Sequence, residues 1–275
     1  MKGQIVKILS NLYFVNSKGI VYKCHSRGRF RKDNITPVVG DYVIFDDKEK
    51  YILEILERKN KLTRPLVSNI DQAFIITSVK KPDFSTNLLD KLLIVIEHNN
   101  IEPVICLTKV DLLDSKEKKE IKKYIKYYKN LGYKVLMNNN LFRIKRMFKN
   151  KTTVFTGQTG AGKSTLLNKL DKNLNLETGK ISKALGRGKH TTRFVELHEI
   201  FGGKVLDTPG FSMIDLNEIS DEEIRDSFRE FRKFNCPFSD CFHINEKECL
   251  VRKAVKQGKI LKSRYENYIK FLDKK

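Results

Sequence analysis

The sequence predicts a multidomain α/β protein, with a small β-barrel, then a parallel sheet flanked by helices, then a short helical module. Three observations support this prediction. Five short β-rich segments come first, alternating strands and helices follow, and a group of Cys and His residues lies near the end. Alternating elements indicate a parallel sheet, and closely spaced short strands indicate a barrel. We expect the three parts to cover residues 1–64, 65–215 and 216–275.

The first part is rich in Val, Ile, Tyr and Phe, with turn residues between the apolar segments. The expected strands are Gln4–Leu9, Leu12–Asn16, Ile20–Cys24, Asp41–Phe45 and Tyr51–Leu56. This spacing is typical of an OB or SH3-like barrel. The intervening segment Lys23–Lys32 is basic and contains Phe30. It could bind RNA, as OB barrels do through cationic grooves and stacking aromatics; a solvated loop is the alternative.

The charge of the chain points to a polyanionic partner. The 275 residues carry a formal net charge of +21, which favours nucleic acid. An AT-rich genome, which favours lysine codons, would also raise this charge. No apolar run reaches the ~18 residues that span a bilayer, and the N-terminus has no apolar signal region. We therefore expect a cytoplasmic protein with no membrane partner.

The second part shows the pattern of a parallel sheet. Expected strands are Ala73–Val79, Pro103–Leu107, Lys134–Met137, Thr152–Phe155 and a strand that ends at Asp207. Expected helices are Asn87–His98, Ser115–Leu131 and Lys163–Leu170, followed in the third part by Ile219–Asn235 and Glu246–Leu272. Strands that alternate with helices in this way indicate a parallel α/β sheet.

A phosphate-binding loop is indicated where one of these strands meets a helix. The pattern G-x-x-x-x-G-K-[ST] is present, in Gly157, Gln158, Thr159, Gly160, Ala161, Gly162, Lys163, Ser164 and Thr165. Glycines let backbone N–H groups surround phosphate oxygens, and the following helix N-terminus adds its positive dipole end. We expect Lys163 to reach the β- and γ-phosphates and Ser164 to ligate Mg²⁺.

A second phosphate-side motif is Asp207-Thr208-Pro209-Gly210. An Asp at the end of an apolar strand, downstream of a phosphate loop, is where a further Mg²⁺-coordinating carboxylate belongs. Gly210 could place its N–H toward the γ-phosphate. A plain turn would be the better interpretation if the loop at Gly157 were absent.

A base-reading motif follows the strand Pro103–Leu107, in Thr108, Lys109, Val110 and Asp111. The Asp111 carboxylate can accept two hydrogen bonds from the N1–H and N2–H₂ groups of guanine. Adenine offers no such pair of donors, so it would leave a buried charge unpaired. By itself the tetrapeptide is weak evidence, because a lysine-rich chain often contains such a sequence by chance. Together with the two phosphate motifs it predicts binding of GTP and GDP.

The order of the motifs is unusual, because the base-reading motif precedes the phosphate loop by about fifty residues. Circular permutation of a GTPase domain can assemble the same site from this order. The sequence therefore predicts a circularly permuted P-loop GTPase domain. Asp207–Gly210 then leads directly into the C-terminal helices, as in switches that rearrange a following segment.

A metal site is indicated by Cys236, Cys241, His243 and Cys249. Three thiolates and one imidazole suffice for a closed tetrahedral Zn²⁺ site, which would help a small module to fold. A chance group of core cysteines is the alternative. Cys24 and Cys106 lie in expected strands, so we expect them to pack in the core.

Taken together, these motifs resemble those of the circularly permuted ribosome small-subunit-dependent GTPases, the RsgA/YjeQ type. The resemblance covers nearly the whole chain and includes Gly186–Thr192 and Phe211 besides the motifs above. It implies an OB-type barrel, a permuted GTPase domain and a C-terminal α-helical zinc module. It also implies a monomer that binds the 30S subunit and its 16S rRNA, acts late in subunit maturation, and hydrolyses GTP with stimulation by the subunit.

The glycine-rich, basic segment Gly186–Thr192 stands where the first switch of a GTPase belongs. By the resemblance, Thr192 rather than Thr191 would ligate Mg²⁺ and sense the γ-phosphate. A water-orienting Gln normally follows the second switch glycine, but here the residue is Phe211. His190 is the candidate for the missing catalytic role, and a solvated or phosphate-contacting His is the alternative.

Two positions depart from the common pattern. Thr108 stands where most GTPases have Asn, although members of the RsgA/YjeQ type can have Thr at this position. The segment expected to back the base falls near Leu136–Asn139 and does not match Ser-Ala-Lys. Two other functions stay open as alternatives: an RNA-binding assembly module whose GTP is structural, and an ATP-using P-loop enzyme.

Overall fold

The computed structural model describes residues 1–27, 30, 35–63, 66–171, 195–207 and 216–273. Its strands are β1 (Lys2–Leu9), β2 (Leu12–Ser17), β3 (Ile20–Ser26), β4 (Tyr42–Asp46), β5 (Tyr51–Ile55), β6 (Lys61–Thr63), β7 (Leu66–Ser68), β8 (Gln72–Ser78), β9 (Glu102–Thr108), β10 (Lys134–Met137), β11 (Thr152–Gly157), β12 (Glu196–Ile200) and β13 (Gly203–Asp207). Its helices are α1 (Thr86–His98), α2 (Ser115–Asn130), α3 (Leu141–Arg146), α4 (Lys163–Leu170), α5 (Asp221–Asp226), α6 (Leu250–Lys256) and α7 (Lys262–Leu272).

The first five strands close into a barrel, which confirms the predicted OB-type module. β1 pairs with β2 and β4, β2 with β3, and β4 with β5, all antiparallel. The parallel pair of β3 and β5 closes the ring. Alternate residues point inward, so Val15, Val43, Phe45 and Ile52 are completely buried. The basic segment Lys23–Lys32 lies partly outside the described residues.

The central sheet has the strand order β10-β9-β8-β11-β13-β12. Neighbouring strands from β10 to β13 run parallel, and β12 is antiparallel to β13. Each strand of the centre is apolar on both faces, because helices cover both sides. α1 and α2 pack with Ile75 and Val154 on one face, while α3 and α4 pack with Phe74 and Phe155 on the other.

The barrel and the central sheet share one continuous set of strands. β1 pairs with β12 at Lys7 and Glu196. The Lys7 ammonium also lies 2.6 Å from the Glu196 carboxylate, and Lys204 of β13 donates to the side chain of Gln4. β12 was not predicted, and neither were α3 or the short β6–β7 hairpin.

The C-terminal module differs from the sequence prediction in its helices. The predicted helix Ile219–Asn235 is wrong: α5 ends at Asp226, and a separate 3₁₀ turn covers Phe231–Lys233. The stacked rings of Phe228 and Phe231, 5.1 Å apart, turn into the core of the module, and this packing replaces a continuous helix. The predicted helix Glu246–Leu272 is also wrong, because Gly258 adopts φ 70° and separates α6 from α7.

The module packs on the central domain through α7, which contacts α1. Its core includes Ile94 of α1 together with Phe228, Tyr268 and Phe271. Among the described residues, no helix combines the length and the apolar character needed to cross a membrane.

Candidate nucleotide site and metal centre

The phosphate loop begins where β11 ends. Gly157 has φ 132°, and a Cβ atom added there would lie 2.0 Å from the carbonyl oxygen of Ile76 on β8. Only glycine fits this close approach. Gly162 adopts φ 93° immediately before α4, so Lys163, Ser164 and Thr165 form the first turn of that helix. The positive dipole end at the N-terminus of this helix suits an anion.

The base-reading motif and the phosphate loop are joined by a hydrogen bond. The Thr108 hydroxyl donates to the carbonyl oxygen of Ala161 at 2.5 Å, although the two residues are 53 positions apart. Thr108 is 1% exposed and Ala161 likewise. Thr108 therefore holds the end of β9 against the phosphate loop, which gives a physical reason for a short hydroxyl side chain at this position.

Lys109 makes a second link between the two motifs. It has φ 59°, and its ammonium donates to the carbonyl oxygen of Gly160 at 2.9 Å. The following Val110 and Asp111 lie in a 3₁₀ turn that ends at Leu112. Asp111 is exposed, so its carboxylate is accessible from solvent.

The loop Lys80–Pro82, which sequence analysis missed, contacts both the base-reading motif and the phosphate loop. Lys81 has φ 53°, and its carbonyl oxygen accepts a hydrogen bond from Lys109. Pro82 lies near Gly160 of the phosphate loop. Lys80 binds both carboxylate oxygens of Glu117 at 2.7 and 2.8 Å, which fixes the loop to α2. In the sequence this loop shows only Lys-Lys-Pro after a strand, and that pattern does not predict a contact with either motif.

The segment expected to back the base lies beside the base-reading motif. The Asn138 N–H donates to the carbonyl oxygen of Leu107 at 2.9 Å, at the carboxyl ends of β10 and β9. Whether this segment backs the base stays a prediction, and its side chains differ from Ser-Ala-Lys.

The phosphate-side motif at Asp207 is described only in part. β13 is parallel to β11, with Leu206 in register with Val154, so the backbone of Asp207 lies at the same sheet edge as the phosphate loop. Gly210, Phe211 and the first-switch residues Gly186–Thr192, which include His190 and Thr192, lie outside the described residues.

The C-terminal Cys and His residues come together as one cluster. The ligand atoms of Cys236, Cys241, His243 and Cys249 all lie within 4.8 Å of one another and could hold one metal ion. Their sulfur atoms lie 3.6, 3.2 and 3.3 Å from Nδ1 of His243. A tetrahedral ion with ligands about 2.0–2.3 Å away needs ligand separations of about 3.3–3.8 Å. The sulfur–nitrogen distances lie close to this range, and so does the 3.9 Å between the sulfur atoms of Cys236 and Cys249.

The module holds the imidazole of His243 in place. The ring packs edge-on against Phe231, with centroids 5.3 Å apart, and Tyr265 donates to the His243 carbonyl oxygen at 2.6 Å. Burial lowers the pKa of His243, so the ring is neutral near pH 7. The neutral imidazole is the form that binds a metal. Cys24 and Cys106 are fully buried elsewhere, which confirms that they pack in the core.

Comparison with known proteins places the chain in a family. A family model described as RsgA GTPase matches residues 55–217, and one described as RsgA N-terminal domain matches residues 2–52. The small ribosomal subunit biogenesis GTPase RsgA 2 of Oceanobacillus iheyensis is 49% identical over 99% of this chain and 96% of that protein. The small ribosomal subunit biogenesis GTPase RsgA of Bacillus velezensis is 47% identical over 98% and 96% of the two chains.

Two solved structures share the whole fold. The crystal structure of YloQ, described as a circularly permuted GTPase, is 40% identical with a TM-score of 0.83 and covers 99% of this chain and 93% of that chain. YjeQ from Thermotoga maritima is 36% identical with a TM-score of 0.85 and covers 99% and 97%. With its motifs assembled in permuted order, the chain therefore belongs to the RsgA family and is a circularly permuted GTPase.

Proposed function

We propose that this protein binds the small (30S) ribosomal subunit, acts in the late maturation of that subunit, and hydrolyses GTP to GDP and phosphate faster when the subunit is bound. The observation that carries the enzymatic part is the bond from Thr108 to Ala161, because it joins base-reading and phosphate-binding segments into one site. The names of the relatives and the charge of +21 support the ribosomal part.

In this proposal Asp111 selects guanine, and Thr108 and Lys109 hold the base-reading turn against the phosphate loop. Lys163 and the loop amides bind the β- and γ-phosphates. Ser164 and Thr192 hold Mg²⁺, with Asp207 acting through water and Gly210 contacting the γ-phosphate. Bound Mg²⁺ would neutralise charge that develops on the phosphates.

Hydrolysis depends on a group that the second switch does not supply. Phe211 cannot orient water, so unstimulated turnover is slow. His190 positions the attacking water or moves its proton when the subunit is bound. This assignment rests on the position of His190 beside Thr191 and Thr192 in the sequence.

The metal of the C-terminal cluster is Zn²⁺ in this proposal, because a closed set of three cysteines and one histidine is typical of structural zinc. The barrel (residues 1–64) and the zinc module (residues 216–275) bind 16S rRNA on either side of the GTPase domain (residues 65–215), mainly through phosphate contacts. The protein acts as a cytoplasmic monomer.

The test combines sedimentation with turnover. The full-length protein is centrifuged with 30S or 50S subunits in GDP or in a non-hydrolysable GTP analogue, and phosphate release from GTP is measured with and without 30S subunits. We expect co-sedimentation with 30S in the analogue and a higher rate in its presence. Co-sedimentation without any increase in phosphate release would favour an RNA-binding assembly module in which GTP is structural.

A further inference from the structure

The solvent side of α2 carries an unusual concentration of lysines. Seven of its sixteen residues are exposed lysines, namely Lys116, Lys118, Lys119, Lys122, Lys123, Lys126 and Lys129. At about 100° per residue, these positions cover an arc of about 160° opposite the buried Ile121 and Tyr128, over a length of about 20 Å. We call these seven side chains the lysine face of α2.

The charge of this face is not compensated. Glu117 is already occupied, because it binds Lys80 and accepts a hydrogen bond from the Asp114 backbone N–H at 2.9 Å. Glu120 is the other acidic residue of the helix, and it lies beside the lysine face rather than within it. Across the described residues, none of the seven lysines forms an ion pair with an acidic side chain.

This arrangement works against the stability of the helix. Lys116 and Lys118 lie in the first turn, where the helix dipole favours acidic residues. Like charges three or four positions apart also destabilise a helix by about 0.2–0.5 kcal/mol per pair. The helix is held instead by the capping box of Asp114 and Glu117 and by the packing of Ile121 and Tyr128. A surface that violates local preferences in this way is expected at a binding site.

We propose that the lysine face of α2 binds the phosphate backbone of a duplex RNA segment in the small subunit, without reading its sequence. The inference rests on the proposed function and assigns a contact to the GTPase domain itself, besides the barrel and the zinc module. Lysine ammonium groups are point charges that suit phosphates rather than base edges.

The neighbouring aromatic residues support contact with phosphates rather than with unpaired bases. The ring of Tyr124 packs edge-on against Phe84, with centroids 5.2 Å apart. The Tyr127 hydroxyl donates to Glu230 at 3.1 Å. Both side chains are engaged within the protein, so the lysine face has no free aromatic ring on which a base could stack. Duplex RNA, whose bases are already stacked, fits this surface.

The test uses two matched double variants of the full-length protein. Lys119→Gln with Lys126→Gln removes two central charges from the lysine face. Lys149→Gln with Lys169→Gln removes two exposed charges from the segments that pack on the opposite face of the central sheet. Binding to 30S subunits in a non-hydrolysable GTP analogue, and to a synthetic RNA hairpin of arbitrary sequence, is measured at several KCl concentrations.

We expect the α2 double variant to bind both RNA probes several-fold more weakly. Its slope of log affinity against log salt should be shallower by about 1.8, or about 0.9 per lost phosphate contact. GTPase turnover without subunits should be unchanged in both double variants. The Lys149/Lys169 control should keep wild-type affinity, and Glu120→Gln, which removes a negative charge beside the face, should bind more tightly.

Two results separate this inference from the proposed function. Unchanged affinity and salt slope in the α2 double variant, with normal 30S binding by the wild type, would overturn the inference and leave the proposed function standing. If the wild type itself fails to bind 30S subunits, the proposed function fails. The affinity for the RNA hairpin then tests the lysine face of α2 independently. A hairpin affinity equal in the wild type and the α2 double variant then overturns the inference as well.

Discussion

Arg264 of α7 and Asp90 of α1 form an ion pair inside the contact between the C-terminal module and the central domain. Nη1 of Arg264 lies 2.6 Å from Oδ1 of Asp90, and the two side chains are 1% and 0% exposed. The guanidinium also donates to both carboxylate oxygens of Glu230 at 2.8 and 2.9 Å. Tyr128 and Asn267 each donate to Asp90 at 2.6 Å. The module is thus fixed to the GTPase domain by a buried network with every charge partnered.

Replacing Arg264 with Met should strongly destabilise the protein, because it leaves the carboxylates of Asp90 and Glu230 buried without a cation. Breaking a buried ion pair in this way costs about 3–5 kcal/mol. Thermal unfolding should show a midpoint several degrees lower, and hydrogen exchange in α7 should accelerate. Lys262→Met on the same helix is the control, since the Lys262 side chain is 83% exposed. Equal midpoints in the two variants would contradict the role given to the network.

Thr108→Val should weaken binding of both GTP and GDP. Valine keeps the shape of the side chain but removes the hydroxyl that holds Ala161, which costs about 1–2 kcal/mol, or roughly tenfold in affinity. Titration with fluorescent GDP measures the change. Thr108→Ser keeps the hydroxyl and serves as the control. If Val and Ser bind GDP equally well, the link between β9 and the phosphate loop does not contribute to affinity.

Asp111→Asn should abolish the preference for guanine. Each charge-assisted hydrogen bond contributes about 1.5–3 kcal/mol, so loss of the pair should reduce GTP affinity by at least about 100-fold. In the wild type, unlabelled GDP should displace labelled GTP and ATP should not. Glu120→Gln replaces another exposed acidic residue and serves as the control: GDP, and not ATP, should displace GTP from it as from the wild type. Displacement of GTP by ATP in the wild type would support an ATP-using enzyme instead.

Cys241→Ser should release the metal of the C-terminal cluster. Wild-type protein purified without chelator should contain about one equivalent of Zn²⁺ by elemental analysis, because the four ligands fit one tetrahedral ion. The variant should contain little and unfold at a lower temperature. Cys106→Ala removes a buried thiol far from the cluster and should retain the metal. Equal zinc content in these two variants would exclude the cluster as the zinc site.

His190→Ala should abolish the stimulation of GTP hydrolysis by 30S subunits and leave GTP affinity intact. Proton transfer or water positioning by a side chain typically contributes 10²–10⁴-fold to a rate. Phosphate release with and without subunits, together with nucleotide titration, gives both quantities. Unchanged stimulated turnover in the variant would assign His190 a solvated or phosphate-contacting role.

Local patterns were sufficient to predict much of this protein. The phosphate loop at Gly157 combines a strand, a set of glycines and a helix within one short segment, so every part of the signal is adjacent in sequence. The barrel strands alternate buried and exposed residues, which is also a local property. The long helix predicted over Ile219–Asn235 failed because the packing of Phe228 and Phe231 overrides helical spacing.

Contacts between distant residues could not be predicted in the same way. Arg264 and Asp90 are 174 positions apart. The sequence around either residue does not predict that the two form an ion pair. The hydroxyl of Thr108 could be seen as a departure from the usual Asn, but its acceptor at Ala161 depends on how β9 meets the phosphate loop. The support that Lys81 gives to Lys109 depends on a left-handed backbone conformation in a loop.

The pairing of Lys7 with Glu196 has a consequence for solubility. A terminal strand with unpaired N–H and C=O groups is a template on which another chain can add, and proteins block such edges. β12 would be such a terminal strand if the central domain stood alone, but the barrel strand β1 lies against it and Lys7 places a charge there. The barrel therefore covers the β12 edge of the central sheet and blocks strand addition there, in addition to any ligand that it binds.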